Sequence, residues 1–320
     1  MKITTYLFGI FPKSDELRKN FREFIKGKIS KEEFEQNLKK EYDFLIEFFE
    51  SCKLSYIYDG MLKWFDLLRP FTNYKGIELG TLIRWFETNS FYRMPIIKSK
   101  IELEKPVLIN YFYVEGLKKS NKSSLTFIDP LSFIKLSENE YYKNEKELFY
   151  DFLNALLKDI KITIDEINPA LISLISPYLG YYDFKEEEIE LLNEFINKLK
   201  EIKKEIKISI NLCFIKNFNK LKKLRKLNVD MIGVDLCYGD REEIIKNIQG
   251  INKQIALGLI DSNISLIEDV NYLLNEIKRI NEILKLNNII ITNSSDLDLL
   301  PFNIALEKVK VLRSLNEIQV

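Results

Sequence analysis

Eight short apolar runs, each followed by a polar or amphipathic stretch, limit what this chain can fold into. They lie at residues 3–11, 54–59, 125–129, 162–167, 207–214, 229–236, 254–261 and 288–293. Their brevity and β-branched content read as strands. Helical periodicity runs through 15–26, 31–52, 145–158, 186–204, 241–252, 264–286 and 305–315. The second of these helices opens on a capping box, Ser30 to Glu33. Strands alternating with helices imply a parallel sheet covered on both faces. Eight such units in 320 residues predict one closed (β/α)8 TIM barrel, a single domain spanning 1–320. The alternative is an open doubly wound sheet, but no GxGxxG or P-loop follows any strand. Residues 76–116 break the alternation. They are aromatic and strand-like, and are expected to form an insertion over the barrel mouth.

The 48 Lys and Arg residues balance 48 Asp and Glu residues. No net field favours nucleic acid or an anionic membrane as a partner. The basic runs "NKLKEIKKEIK" and "NKLKKLRKLN" have helical spacing and read as solvated faces. Three cysteines, Cys52, Cys213 and Cys237, form no disulfide framework. No stretch reaches the roughly 18 apolar residues of a membrane helix. The expected setting is the cytoplasm.

In a barrel of this kind the chemistry gathers at the C-terminal ends of the strands. Those ends read Gly9, Asp59, Asp129, Asp165 with Glu166, Cys213, Asp235 with Cys237, Asp261, and Ser295 with Asp296. A lone Asp at such a place is most simply the cap of the next helix. A ring of them around a cysteine points to a polar cavity. "ISINLCFIKN" is the sharpest case, a strand ending in a possible metal-binding thiol, in a chain with no histidine.

Nine segments carry a further signal. "TTYLFGIFPKSDELRK" resembles the opening of the cobalamin-independent methionine synthase family, where a Gly-Ser-Phe-Pro turn precedes the first helix. "YIYDGMLKWFDLLRPF" and "IRWFETNSFYRMP" are similar to its next two landmarks, and "LTFIDPLSFIKLS" to its Gly-Pro-Leu-Thr strand. "ITIDEINPAL" looks like its Asp-Glu-Pro-Ala-Leu strand. "INLCFIKN" stands where that family has His-x-Cys, and "MIGVDLC" where a strand ends in Glu. "LGLIDSN" matches Gly-Val-Ile-Asp, and "IIITNSSDLDLLP" matches Asn-Pro-Asp-Cys-Gly.

The resemblance implies a barrel engaged in methyl transfer to homocysteine, with zinc activating the substrate thiol in active members. It places the zinc ligands at Asn211, Cys213, Asp235 and either Ser295 or Asp296. Only Cys213 is retained, and Asp235 is a shortened carboxylate. The implied site is therefore a degenerate zinc site of Cys213, Asp235 and Asp296. In the amino-acid pocket Ile10 replaces the family's serine and Met61 its glutamate, while Asp165 matches the carboxylate that holds the substrate amine. The family's long members also carry an N-terminal barrel without a metal site, and "WFETNSFYRMP" is at least as close to that barrel.

Three readings follow. The chain is a companion barrel working with a separate catalytic methionine synthase barrel. Or it is a homocysteine S-methyltransferase with a metal centre rebuilt from Cys213, Asp235, Cys237 and Asp296. Or the barrel is reused for another small molecule. The methyl donor implied by the first two is folate-like or corrinoid. Trp85, Phe86, Phe91 and Tyr92 are candidate partner anchors, or else a lid.

Overall fold

The computed structural model describes residues 3–318. The strands, in chain order, are β1 (Ile3–Thr5), β2 (Lys75–Arg84), β3 (Phe91–Glu102), β4 (Ser124–Ile128), β5 (Glu138–Asn139), β6 (Leu171–Ile175), β7 (Lys207–Leu212), β8 (Met231–Asp235), β9 (Gln254–Ile260) and β10 (Ile289–Asn293). Seven of them form a parallel sheet in the order β1-β10-β9-β8-β7-β6-β4. Every residue of β4, β6, β8 and β10 is buried. That is the burial expected of parallel strands packed inside and out.

An irregular extended segment fills the eighth place. Ser55 N–H donates to Thr5 O of β1 at 2.8 Å. On its other side Ile57 N–H donates to Lys122 O at 2.9 Å, and Ser124 N–H of β4 donates to Ile57 O at 2.7 Å. The strand expected at 54–59 is thus reduced to one parallel bridge, Ile57 with Ser123, and still links β1 to β4. The result is a single TIM-like barrel, as the alternation predicts.

One strand was expected in the wrong place. Residues 162–167 are the last turns of helix Glu145–Ile167, and the strand follows at β6. Ile160, Thr163, Ile164 and Ile167 are buried at helical spacing, so the apolar run in "KITIDEI" belongs to the 3.6-residue period. Asn168 in the left-handed conformation (φ 56°) and Pro169 then end the helix. Asp165 consequently lies before β6, at the end of the barrel opposite Cys213. It is solvent-exposed and pairs with Lys161 at 3.8 Å.

The insertion is an antiparallel hairpin of β2 and β3, with Ile77 opposite Ile97 and Arg84 opposite Phe91; β5 adds to β3 in parallel. Of the four aromatic anchors, Trp85 and Tyr92 are buried and Phe86 is partly buried. Tyr92 also donates its hydroxyl to Leu136 O at 3.1 Å. Phe91 is 55% exposed. Tyr92→Ala should therefore cost about 3 kcal/mol of stability, while Phe91→Ala should stay within about 0.5 kcal/mol. Urea denaturation of the two variants checks this, and equal losses would contradict the assignment of Tyr92 to the core.

Candidate functional site

The lumen is built from alternate residues of β7. Ser209 and Asn211 face inward, because their side chains meet groups from other strands. Asn211 Nδ2 donates to Ser173 Oγ at 2.8 Å and to Leu174 O at 3.2 Å. Its Oδ1 accepts from the Tyr6 hydroxyl at 2.5 Å. Tyr6 follows β1 directly, and β10, β9 and β8 separate β1 from β7, so this bond spans the barrel interior. Ser209 Oγ completes the group by donating to Ser173 Oγ at 3.2 Å. At Gly233 of β8 an added Cβ would lie 2.2 Å from Asn211 Oδ1, so only glycine leaves room for the amide.

Two residues beyond Asn211, Cys213 is 1% exposed. Burial pushes its thiol well above the usual range, and the nearby Asp235 and Asp296 carboxyls add to the effect. It is therefore held as the neutral thiol. Asp235, at the end of β8, has both oxygens engaged. Oδ2 accepts from Phe214 N–H at 3.1 Å, and Oδ1 from Cys237 N–H at 2.9 Å and Tyr238 N–H at 3.0 Å. Desolvation nevertheless raises its pKa to about 7. Cys237 turns toward the neighbouring strand, with Sγ 3.4 Å from Gly258 O. Asp296 Oδ1 accepts from Ile10 N–H at 2.8 Å, and burial raises this carboxyl to about 7 as well. Gly9 (φ +81°) makes that approach possible, since a Cβ there would sit 2.2 Å from Asp296 Oδ1.

The remaining acids of the ring act locally. Asp59 accepts from Met61 N–H and Tyr113 N–H, at 2.9 and 2.8 Å. Asp129 caps helix Pro130–Lys135 through Leu131 N–H and Ser132 N–H. Asp261 accepts from Asn263 N–H.

The insertion expected over the barrel mouth covers this end of the barrel. The tip of the β2–β3 hairpin lays Phe86 on Phe214, with ring centroids 5.0 Å apart at 24°, and against Tyr181 at 5.0 Å. Beside it Glu87 accepts from Lys216 Nζ and the Tyr238 hydroxyl, and from the Tyr181 hydroxyl at 3.3 Å. The Lys216 and Tyr238 bonds hold the Glu87 carboxyl down at about 2. The tip thus fastens to the loops after β6, β7 and β8. "WFETN" was visible as a motif, but the partners of Glu87 were not.

Zinc does not fit these residues. The amide at the position of the family's histidine is committed on both ends, and both oxygens of Asp235 are taken by backbone N–H groups. Cys213 is the one thiol left at the implied ligand positions, whereas zinc sites take three or four Cys, His or carboxylate ligands. Among the described residues no three His, Cys, Asp or Glu side chains group as metal ligands. Cys213, Asp235 and Asp296 lie at the same end of the barrel, near enough for both carboxyls to act on the thiol, but not grouped as ligands. Asp165 does not join them. The exit of β6 itself reads Ile175-Ser176-Pro177-Tyr178-Leu179 and carries no carboxylate.

Fold and site together define a (β/α)8 barrel with a thiol and several carboxyls at its mouth, under an aromatic hairpin. The chain belongs to the cobalamin-independent methionine synthase family. The family model described as the N-terminal domain of the cobalamin-independent synthase matches residues 63–285. The methionine synthase of Sulfurisphaera tokodaii is 26% identical over 309 residues, covering 96% of this chain and 89% of that protein. The methionine synthase of Saccharolobus solfataricus is 23% identical over 312 residues, covering 96% and 91%. The fold is also that of a B12-independent methionine synthase from a Shewanella species (TM-score 0.75, 15% identity, 98% and 96% covered). A putative B12-independent methionine synthase from Listeria monocytogenes is comparably similar (TM-score 0.72, 18% identity, 99% and 98% covered). No described helix is long and apolar enough to cross a membrane.

Proposed function

We propose that this chain is a companion barrel in methionine synthesis, without a zinc–thiolate centre of its own, acting beside a separate catalytic barrel. One observation carries the reading. Asn211, at the place of the first metal ligand, is locked into a hydrogen-bond network across the lumen. A buried network of this kind holds its members in place, and turning the amide toward a metal would break the bonds to Tyr6, Ser173 and Leu174. The match to the family's N-terminal domain supports the same reading, because the resemblance implies that this barrel lacks the metal site in long members. The methyl donor, folate-like or corrinoid, would be used by the catalytic partner, and the proposed setting is the cytoplasm. The full-length similarity to archaeal methionine synthases favours a second reading, an active methyltransferase rebuilt on Cys213, Asp235, Cys237 and Asp296.

The experiment is elemental analysis of protein purified with zinc present, followed by homocysteine methylation assays. These are run alone and with a catalytic methionine synthase barrel from the same cell. The expected result is zinc far below one per chain, no methionine formed by this chain alone, and association with the catalytic barrel. Stoichiometric zinc with methionine formed by this chain alone would establish the second reading instead.

A further inference from the structure

The hairpin over the barrel mouth is held in two different ways along its length. Its stem is anchored in the core by Trp85 and Tyr92, both buried, and by the bond from the Tyr92 hydroxyl to Leu136 O. Its tip, residues 86–90, is one tight loop. Trp85 N–H donates to Ser90 O at 2.9 Å, and Trp85 O accepts from Thr88 N–H at 3.1 Å. What holds this tip down lies largely in solvent. The side chains of Glu87 and Lys216 are 53% and 40% exposed. Ion pairs so exposed contribute little and are screened by salt. The other attachment is the packing of Phe86 on Phe214 and against Tyr181.

The stack of Phe86 on Phe214 joins two strained residues. Phe86 has φ 49° and Phe214 φ 56°, in the left-handed region that bulky side chains rarely adopt. Such strain persists only where surrounding contacts over-determine it, and it concentrates at clamps and switches. Phe214 directly follows Cys213. It also donates its N–H to Asp235 Oδ2 and meets the Tyr238 ring at a right angle, 5.7 Å away. The tip therefore presses on the exits of β7 and β8, where the thiol and a carboxyl lie. In this closed state the cleft under the hairpin has about 30 Å³ of space, room for a water molecule but not for an organic ligand. Cys213 is shut off from solvent. We propose that the hairpin tip is a latched gate, with Glu87 as the latch and the Phe86–Phe214 stack as the seal. Lifting residues 86–90 about the fixed stem opens the mouth to a small molecule and exposes Cys213. Opening gives up one exposed ion pair, its neighbouring hydrogen bonds and one ring contact, while it frees two strained residues to relax. The buried stem need not move. Such a gate is independent of whether the barrel has a catalytic partner.

Labelling of the full chain with N-ethylmaleimide at mildly alkaline pH tests this, with each cysteine followed by peptide mass spectrometry. Cys52, buried at the end of helix Lys31–Ser51, is the internal control, because it reports loosening of the barrel away from the mouth. Glu87→Ala removes the latch and should speed labelling of Cys213 by about threefold. Phe86→Gly removes the ring and suits the left-handed backbone, and should speed it by about tenfold. High salt should speed Cys213 labelling in the parent and have little further effect in Glu87→Ala. Labelling of Cys52 should not change in any of these. Circular dichroism checks that both variants are folded. Unchanged labelling of Cys213 in either folded variant overturns the gate. So does a rise at Cys52 equal to the rise at Cys213, which would show the whole barrel loosening instead of its cover lifting.

Discussion

Asn211→Ala should lower the free energy of unfolding by about 3 kcal/mol. The substitution removes one amide and strands several groups that cannot reach water. The Tyr6 hydroxyl loses its acceptor, and Ser173 Oγ and Leu174 O lose a donor. Each orphaned group costs more than the bond itself contributed, because its desolvation is no longer offset. Asn211→His restores the family residue and makes a useful second variant. The imidazole is larger than the amide beside Gly233 and cannot reproduce the same set of bonds, so this variant should also be destabilised. It should gain no zinc, since Asp235 remains committed to three backbone N–H groups. Urea denaturation and elemental analysis provide the two measurements. A loss within about 0.5 kcal/mol for Asn211→Ala would mean the network holds nothing together. Stoichiometric zinc in Asn211→His would mean that a single residue separates this barrel from a metal enzyme.

Stability should fall as pH rises from 5 to 8. Several buried carboxyls have raised pKa values, chiefly through desolvation, and four of them reach the neutral range: Asp59 and Asp129 at about 6, Asp235 and Asp296 at about 7. In the unfolded chain each would release its proton near 3.8. Between these limits the folded protein holds protons that the unfolded chain does not. Their contribution is thus fully present below about pH 4 and disappears as pH rises through 6 to 7. Each carboxyl accounts for on the order of 3 kcal/mol over that whole range. Surface carboxyls such as Glu87, held down at about 2, act in the opposite direction, but at lower pH. The chain has no histidine to add its own titration in this window. Asp235→Asn should flatten the decline by removing one of the four. Urea midpoints that stay level or rise between pH 5 and 8 would contradict the buried, protonated state of these groups.

Much of the architecture was legible in the linear order of residues. Short β-branched runs between amphipathic stretches can bury both faces only as a parallel sheet wrapped in helices, and eight of them close a ring. The family motifs are likewise local, and each sits within a dozen residues or so. The gathering of Cys213, Asp235 and Asp296 followed from their places at strand exits. The misplaced strand shows where local reading stops. In "KITIDEI" the apolar residues satisfy both a two-residue and a 3.6-residue period, and the chain's packing chose the helix. Asp165 moved to the opposite end of the barrel with that choice. The eighth strand position was legible as an apolar run, yet its hydrogen bonds reach Thr5 on one side and Lys122 and Ser124 on the other.

The state of the site was decided in three dimensions. Asn211 reads in the sequence as a lost ligand, whereas the fold makes it the centre of a network whose partner Tyr6 is 205 residues away. Glu87 reads as an ordinary charge in an aromatic stretch, but it fastens the hairpin to Lys216 and Tyr238, 129 and 151 residues on. Asp296 reads as a substitute ligand and instead fills the backbone donor of a turn near the chain's beginning. Composition and periodicity determined that these residues would lie at one end of a barrel. Which atom each would bond depended on distances of a few ångströms between strands remote in sequence, and only the closed barrel sets those distances.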